Sequence, residues 1–80
     1  MEPLLGTVEL FSFNWPPKGW MKCEGQMLPV SQYMQLFSLI GTTYGGDGMN
    51  TFKLPDLRGK EPQKGMSYCI VVEGIYPQRP

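Results

Sequence analysis

The side chains that carry most catalytic chemistry are sparse in this sequence. Histidine is absent, which removes the Ser-His and Cys-His nucleophile arrangements and the commonest metal ligand. Cys23 and Cys69 cannot complete a tetrahedral zinc site by themselves. They could form one disulfide, but buried free thiols are the commoner expectation for a chain without a secretion signal. The carboxylates are Glu2, Glu9, Glu24, Asp47, Asp56, Glu61 and Glu73. They are scattered, so a glycosidase-like pair stays an alternative only if folding brings two together. The sequence predicts no enzyme, no cofactor and no metal.

The glycine-rich stretch 41–59 is the strongest local pattern, and three kinds of site compete for it. A phosphate loop fails because no Gly-Lys-Ser/Thr follows, and because the predicted helix precedes the loop and turns its C-terminal end toward it. Residues 45–52 resemble one calcium-binding nonapeptide, but such sites are built from stacked repeats and one copy is present. Asp47 is therefore predicted to form a turn. We interpret the stretch as a structural elbow or a presented loop.

Aromatic residues at two turns are the candidate binding residues. Trp15 and Trp20 flank a Pro-Pro-Lys-Gly turn, and Tyr44 lies in the glycine loop with Asp47 and Asn50. Exposed rings on a rigid turn could stack on sugars or cover a partner subunit. The alternative, which we favour, is that these rings fill a small core. Structural roles in caps and turns are predicted for Ser31, Gly41, Gly45, Gly46, Gly48, Pro55, Asp56, Arg58 and Gly59.

Composition indicates one small domain built from short elements. The chain has 80 residues, 41% of them hydrophobic, and chains of this size often need a partner or a staple. Its 10 glycines and 8 prolines are together a larger share of the residues than the average of about 12%. This composition favours short strands and turns over long helices. The formal net charge is zero, so nucleic acid is not an expected partner. No apolar run is long enough to insert in a membrane, and the start lacks a signal-peptide pattern, so synthesis in a cytoplasm is expected.

Period-2 alternation predicts a strand over residues 4–13. Val8 and Leu10 lie on one face of it. Phe11 and Phe13 have the opposite parity, so either the strand bulges or these rings face a second surface. The pattern thus leaves two arrangements open for the phenylalanines.

Downstream, the pattern predicts a small hairpin over 20–29, one helix over about 31–40 and a strand over 68–72 covered on both faces. Ser31 is the predicted N-cap, and Gly41 the C-terminal residue in the αL conformation. The apolar stripe of the helix consists of Tyr33, Leu36, Phe37 and Ile40. Together these elements predict an α+β domain with one short helix and a glycine-rich loop.

A set of motifs in a fixed order resembles the phage tail-collar domain of tail-fibre proteins and of the related microcystin-dependent proteins. The motifs are GTVELF (6–11), PKGW (17–20), CEGQ (23–26), LPVS (28–31), LFSLIG (36–41), YGGDG (44–48) and TFKLPDLRG (51–59). The closing segment 68–79 is similar to the last segment of the microcystin-dependent branch. The resemblance implies one domain over 1–80, with the collar motifs in 4–59, a shortened connector in 60–66 and a closing strand and tail in 67–80.

The resemblance also implies a role. It predicts a non-enzymatic structural component of a phage tail or tail-derived particle, made in the host cytoplasm and located in the virion tail. Collars of this kind are commonly trimeric, so the expected partners are further copies of the chain and other tail or fibre proteins. Some relatives bind a metal through histidines on the three-fold axis, which this chain lacks. The alternative is a module that binds a receptor or glycan on the host surface.

Overall fold

Two antiparallel sheets and one short helix make up the fold, which confirms the predicted α+β class. The computed structural model describes residues 3–78. Met1, Glu2, Arg79 and Pro80, which include one of the carboxylates and the end of the predicted tail, lie outside the described residues. The elements are β1 (Val8–Phe11), β2 (Trp20–Lys22), β3 (Met27–Pro29), α1 (Met34–Ile40), β4 (Thr51–Lys53) and β5 (Ser67–Val71).

The closing strand β5 is the centre of the larger sheet, whose order is β1-β5-β2. Cys69, Ile70 and Val71 are all buried, because neighbours cover both faces of this strand. The unbroken apolar run that predicted such a strand is thus confirmed. The two flanking strands pair with it in antiparallel register, Val8 beside Ile70 and Met21 beside Ile70 on the other side.

The predicted hairpin over 20–29 is wrong, because β2 and β3 belong to different sheets. β2 pairs with β5, whereas β3 pairs with β4, with Leu28 opposite Phe52. The backbone groups that a hairpin about Glu24-Gly25 would pair are bonded elsewhere: the Cys23 N–H donates to the Tyr68 C=O at 2.9 Å, and the Cys23 C=O accepts from the Leu57 N–H at 2.9 Å. The Gln26 side chain instead bonds locally, with its Nε2 donating to the Lys22 C=O at 2.8 Å and its Oε1 accepting from the Glu24 N–H at 3.0 Å.

Helix α1 is shorter at its start than the predicted 31–40. Its N-cap is Tyr33, without a side-chain capping bond, so the prediction that Ser31 is the N-cap is wrong. Turn bonds precede the helix instead, from the Gln32 N–H to the Pro29 C=O and from the Tyr33 N–H to the Val30 C=O. Leu36 is buried, and the rest of the predicted stripe packs against the core.

The C-terminal end of the helix is the predicted one. Gly41 has φ 54° and ψ −140°, and its N–H donates to the Phe37 C=O. The positive φ that favours glycine is present, although ψ lies outside the αL region that was predicted. The chain therefore turns sharply into the glycine loop.

Strand β1 is shorter than the predicted 4–13, and its two faces differ. Val8 and Leu10 share the Ile70 face, yet both lie at the edge of the core and are exposed. Phe11 lies on the opposite face beside Ser67, whose hydroxyl donates to the Phe13 C=O at 2.8 Å. The phenylalanines thus face a second surface, and this alternative is the correct one.

One cluster of buried side chains joins the helix to both sheets. Its members are Leu5, Cys23, Leu28, Leu36, Phe52, Leu54, Ile70 and Val72. Phe52 contributes from β4, with its ring centre 5.4 Å from that of Phe37 on the helix. The glycine loop connects these two elements, so the core fixes both of its ends.

The two end segments of the described chain pair with each other. Leu4 and Ile75 form a parallel bridge, in which the Leu5 N–H donates to the Ile75 C=O at 2.8 Å and the Ile75 N–H donates to the Pro3 C=O at 3.0 Å. Tyr76 then reaches the helix, where its hydroxyl is 2.8 Å from that of Ser38. The first and last described segments are therefore held side by side.

Candidate functional site

Asp47 organises the glycine loop by bonding to the backbone that follows it. One carboxylate oxygen, Oδ1, accepts the N–H groups of Met49 and Asn50 at 2.8 Å and that of Thr51 at 3.0 Å. In return the Thr51 hydroxyl accepts the Asp47 N–H at 3.3 Å. The polar side chains of Asp47 and Thr51 therefore bond to the backbone of the loop itself, which supports the predicted turn. Asn50, a candidate binding residue, contributes to this arrangement through its backbone N–H.

The loop folds back along the outer edge of β4. The Lys53 N–H donates to the Gly45 C=O at 3.1 Å, and the Gly48 N–H donates to the Thr51 C=O at 3.0 Å. Gly46 lies against the strand, with φ 99°, and a Cβ there would overlap the Phe52 Cα. Only glycine combines this φ with so close an approach. Gly46 is thus needed for this close backbone contact.

The hydrogen bonds at Asp47 shift its titration. The backbone N–H bonds, led by that of Thr51, lower the pKa of Asp47 from 3.8 to about 2. Donors that point at the carboxylate stabilise its charged form. The site therefore holds a permanent negative charge at neutral pH.

We expect Asp47 to make stability depend on pH in the acid range. Because the folded pKa is below the unfolded value of about 4, its contribution is complete above pH 4 and is lost as the pH falls toward 2. Asp47→Asn keeps an acceptor oxygen but cannot titrate, so its melting temperature should fall less over that range. Thermal melts followed by circular dichroism between pH 5 and pH 2 measure the difference. Parallel curves for the two proteins would contradict this assignment.

The Pro55-Asp56 turn carries an ion pair between Asp56 and Arg58. Arg58 donates from Nε to Oδ1 of Asp56 at 2.9 Å and from Nη2 to Oδ2 at 2.7 Å, and its N–H also bonds to Oδ1. The bonds from the Arg58 side chain are the main cause that lowers the pKa of Asp56 to about 2. Both side chains are exposed, so the pair fixes the turn and adds little to stability. Gly59 follows with φ 83°.

The two tryptophans belong to one row of stacked rings on the outer face of the larger sheet. Phe11 contacts Trp20 edge-on at 4.9 Å, Phe13 lies 5.2 Å from Phe11, and Trp15 lies 4.5 Å from Phe13. Trp20 is half-buried, but Trp15 is 61% exposed. The parity of Phe11 and Phe13 was the sequence signal for this row, although it did not point to the tryptophans.

Tyr44 lies in the glycine loop and is 48% exposed. The interpretation that the candidate aromatics fill the core is therefore wrong for Trp15 and Tyr44, because each extends from a turn whose backbone leaves the core. Within residues 3–78, the ring contacts join both tryptophans but do not connect either to Tyr44. The candidate binding residues thus form two surfaces instead of one.

An open groove that the sequence did not indicate lies between the start of the helix and the segment after β5. Its volume is about 510 Å³, and the buried side chains of Leu5, Leu36 and Val72 line it together with polar Gln32, Gln35 and Glu73. It brings together one carboxylate and two amides. The lining residues are far apart in sequence, so no local pattern could have revealed it.

The remaining reactive groups are two buried thiols. Cys23 belongs to the core cluster, whereas Cys69 lies on the opposite face of the sheet beside Glu9 and Lys22, and both are free. Burial, with a smaller contribution from Cys69, raises the pKa of Cys23 to about 12. Burial also raises the pKa of Cys69. Neither thiol is therefore an activated nucleophile.

Among residues 3–78, no three side chains of the His, Cys, Asp and Glu types converge as a set of metal ligands. No helix in the same range has the length and apolar character needed to cross a bilayer.

Comparison with known proteins identifies the family. No curated protein matches the sequence at a significant level. The family model of the phage tail collar domain matches residues 6–62, a range that includes the glycine loop, the Pro55-Asp56 turn and both tryptophans. Because this match covers well over half of the 80 residues, the chain belongs to the phage tail collar domain family.

Proposed function

We propose that this chain is a non-enzymatic structural component of a phage tail or tail-derived particle, located in the virion tail at a fibre or tail tip. The family match over residues 6–62 carries the proposal. The local chemistry supports it, because the glycine loop directs the carboxylate of Asp47 to its own backbone. We take the chain as one domain, with collar motifs in 4–59, a connector in 60–66 and a closing segment from 67.

Locating the chain in a particle tests this role. Residues 62–65 of the connector are exposed, so an epitope inserted there should leave the core intact. Immunogold electron microscopy of purified particles should place the label on the tail, while particles with the unmodified chain stay unlabelled. A label absent from tails, in particles that are otherwise complete, would contradict the proposal.

We further propose that the chain assembles with copies of itself, most simply as a trimer. Support comes from the many large apolar side chains exposed on a domain with a small core, since small domains often rely on association. The exposed set is Leu4, Val8, Leu10, Trp15, Met27, Met34, Tyr44, Met49, Ile75 and Tyr76. Light scattering after size exclusion should give three times the 9.1 kDa of one chain. A stable monomer at micromolar concentration would rule out the oligomer.

Attachment to a host receptor or glycan is the second candidate function, and the exposure of Trp15 favours it. One face of its indole packs on Phe13, and the two following prolines stiffen the turn. The opposite face of the indole is left available for stacking on the apolar face of a sugar ring. Tyr44 offers a separate exposed ring in the glycine loop.

A glycan array and a cell-binding assay distinguish the two surfaces. If attachment uses the aromatic row, Trp15→Ala should abolish binding while Tyr44→Ala retains it. If attachment uses the glycine loop, Tyr44→Ala should abolish binding while Trp15→Ala retains it. Met49→Ala, at a side chain that is 81% exposed, is the matched control. No binding by the unmodified protein would leave only the structural role.

A further inference from the structure

Local hydrogen bonds cover the outer edges of the strands to different extents, and β1 is covered least. On β4, the outward backbone groups of Thr51 and Lys53 are hydrogen-bonded within the described part of the chain, except for the Lys53 C=O. The Thr51 N–H bonds to Asp47, its C=O accepts from Gly48, and the Lys53 N–H bonds to Gly45. The glycine loop therefore closes this edge against other strands.

The edges of β2 and β3 are also partly closed. On β2, the Trp20 N–H donates to the Pro17 C=O at 3.0 Å, and the Lys22 C=O accepts from the Gln26 side chain and the Glu24 N–H. On β3, Pro29 has no N–H to offer and its C=O accepts from Gln32. Proline and local bonds are common means of blocking an edge.

Strand β1 lacks this protection. The Val71 N–H bonds to the Thr7 C=O, and antiparallel bonding alternates along a strand, so Glu9 and Phe11 are the β1 residues that bond to β5. The N–H and C=O groups of Val8 and Leu10 consequently point away from the sheet. No residue within 3–78 bonds to these four groups. The side chains of Val8 and Leu10 are 39% and 37% exposed.

We propose that the edge of β1 is a docking site for an extended strand of another protein, which adds a fourth strand to the sheet. The four outward backbone groups supply the hydrogen bonds of such strand addition, and the side chains of Val8 and Leu10 supply apolar contact. Glu9 lies between them in β1, so its carboxylate would lie beside the side chain of the opposite residue in the added strand. The fitting strand has the pattern apolar, basic, apolar.

Charge argues against a second copy of this chain as the occupant. In a two-fold antiparallel pairing through the same groups, Val8 lies opposite Leu10 of the second copy, and Glu9 then lies opposite its own equivalent. Like charges directly opposite each other destabilise a strand pair. A lysine or arginine in the partner strand instead forms a favourable cross-strand pair.

A peptide titration tests the proposal on the full chain. The probe is the blocked peptide acetyl-Thr-Val-Lys-Val-Thr-amide, added to ¹⁵N-labelled protein and followed by NMR. We expect saturable shifts centred on the Val8 and Leu10 amides at millimolar peptide. The peptide with glutamate in place of lysine should bind about fivefold more weakly, because cross-strand charge pairs contribute up to about 1 kcal/mol.

Two variants at one position separate backbone from side-chain effects. Leu10→Pro removes the outward N–H without touching a bond to β5 and should abolish binding, while Leu10→Ala keeps the N–H and should retain the same shifts at lower affinity. Unchanged amide shifts of β5 show that both variants are folded. Equal binding by Leu10→Pro, or no shift at millimolar peptide, would overturn the proposal. So would Val8 and Leu10 amides already protected from hydrogen exchange in the free protein, which would show a second copy on this edge.

Discussion

Replacing Gly46 by alanine is expected to destabilise the domain by about 3 kcal/mol or more, since backbone strain and steric overlap add at one position. The added Cβ would overlap the Phe52 Cα and lie 2.7 Å from the Thr51 C=O oxygen. Neither atom can move easily, because Phe52 is part of the buried core. Urea denaturation followed by circular dichroism should show a lower midpoint with a similar slope.

Gly59→Ala is the matched control for this prediction. Its φ of 83° is also one that favours glycine, but no atom lies within 4 Å of the position of the added Cβ. Its cost should therefore be only that of the backbone conformation, about 1–2 kcal/mol. Equal losses in the two variants would show that φ alone, and not the contact with β4, makes Gly46 necessary.

Phe52→Ala is expected to cost about 3–5 kcal/mol, because it leaves a cavity where both sheets and the helix meet. The side chain is 0% exposed, and its ring packs on Phe37. A domain of this size has a total stability of about 4–12 kcal/mol, so the variant should lose a large part of it and melt at a much lower temperature. Differential scanning calorimetry measures the fall in the melting temperature.

Met27→Ala provides the comparison on the neighbouring strand. Its side chain is 55% exposed, and exposed substitutions usually change stability by less than about 0.5 kcal/mol. A large loss for Met27→Ala and a small one for Phe52→Ala would show that the core lies elsewhere.

The features that sequence predicted well are those encoded by neighbouring residues. The apolar stripe around Leu36, the end of the helix at Gly41 and the turn at Asp47 each depend on side chains a few positions apart. The unbroken run around Ile70 also needed no knowledge of its partners. Local physical chemistry was sufficient in these places.

The incorrect predictions concern partners that are distant in the chain. Residues 20–29 have the alternation of a hairpin, but the second strand pairs with Thr51–Lys53, and the Cys23 backbone bonds to the distant residues Tyr68 and Leu57. Ser31 is a favourable cap by type, yet turn bonds between Pro29 and Tyr33 precede the helix. The exposure of Trp15 depends on where Phe13 lies, which periodicity left open.

The pairing between residues 3–5 and Ile75 has a mechanical consequence. The two segments run in the same direction, so tension applied between their far ends pulls them past each other. Both bonds, from Leu5 to Ile75 and from Ile75 to Pro3, then bear the force together in shear instead of opening one by one like a zipper. Gly74 permits this arrangement, since a Cβ there would lie 2.5 Å from the Pro3 C=O oxygen. A force that stretches the domain from its two ends must therefore break these two hydrogen bonds together before it acts on the core.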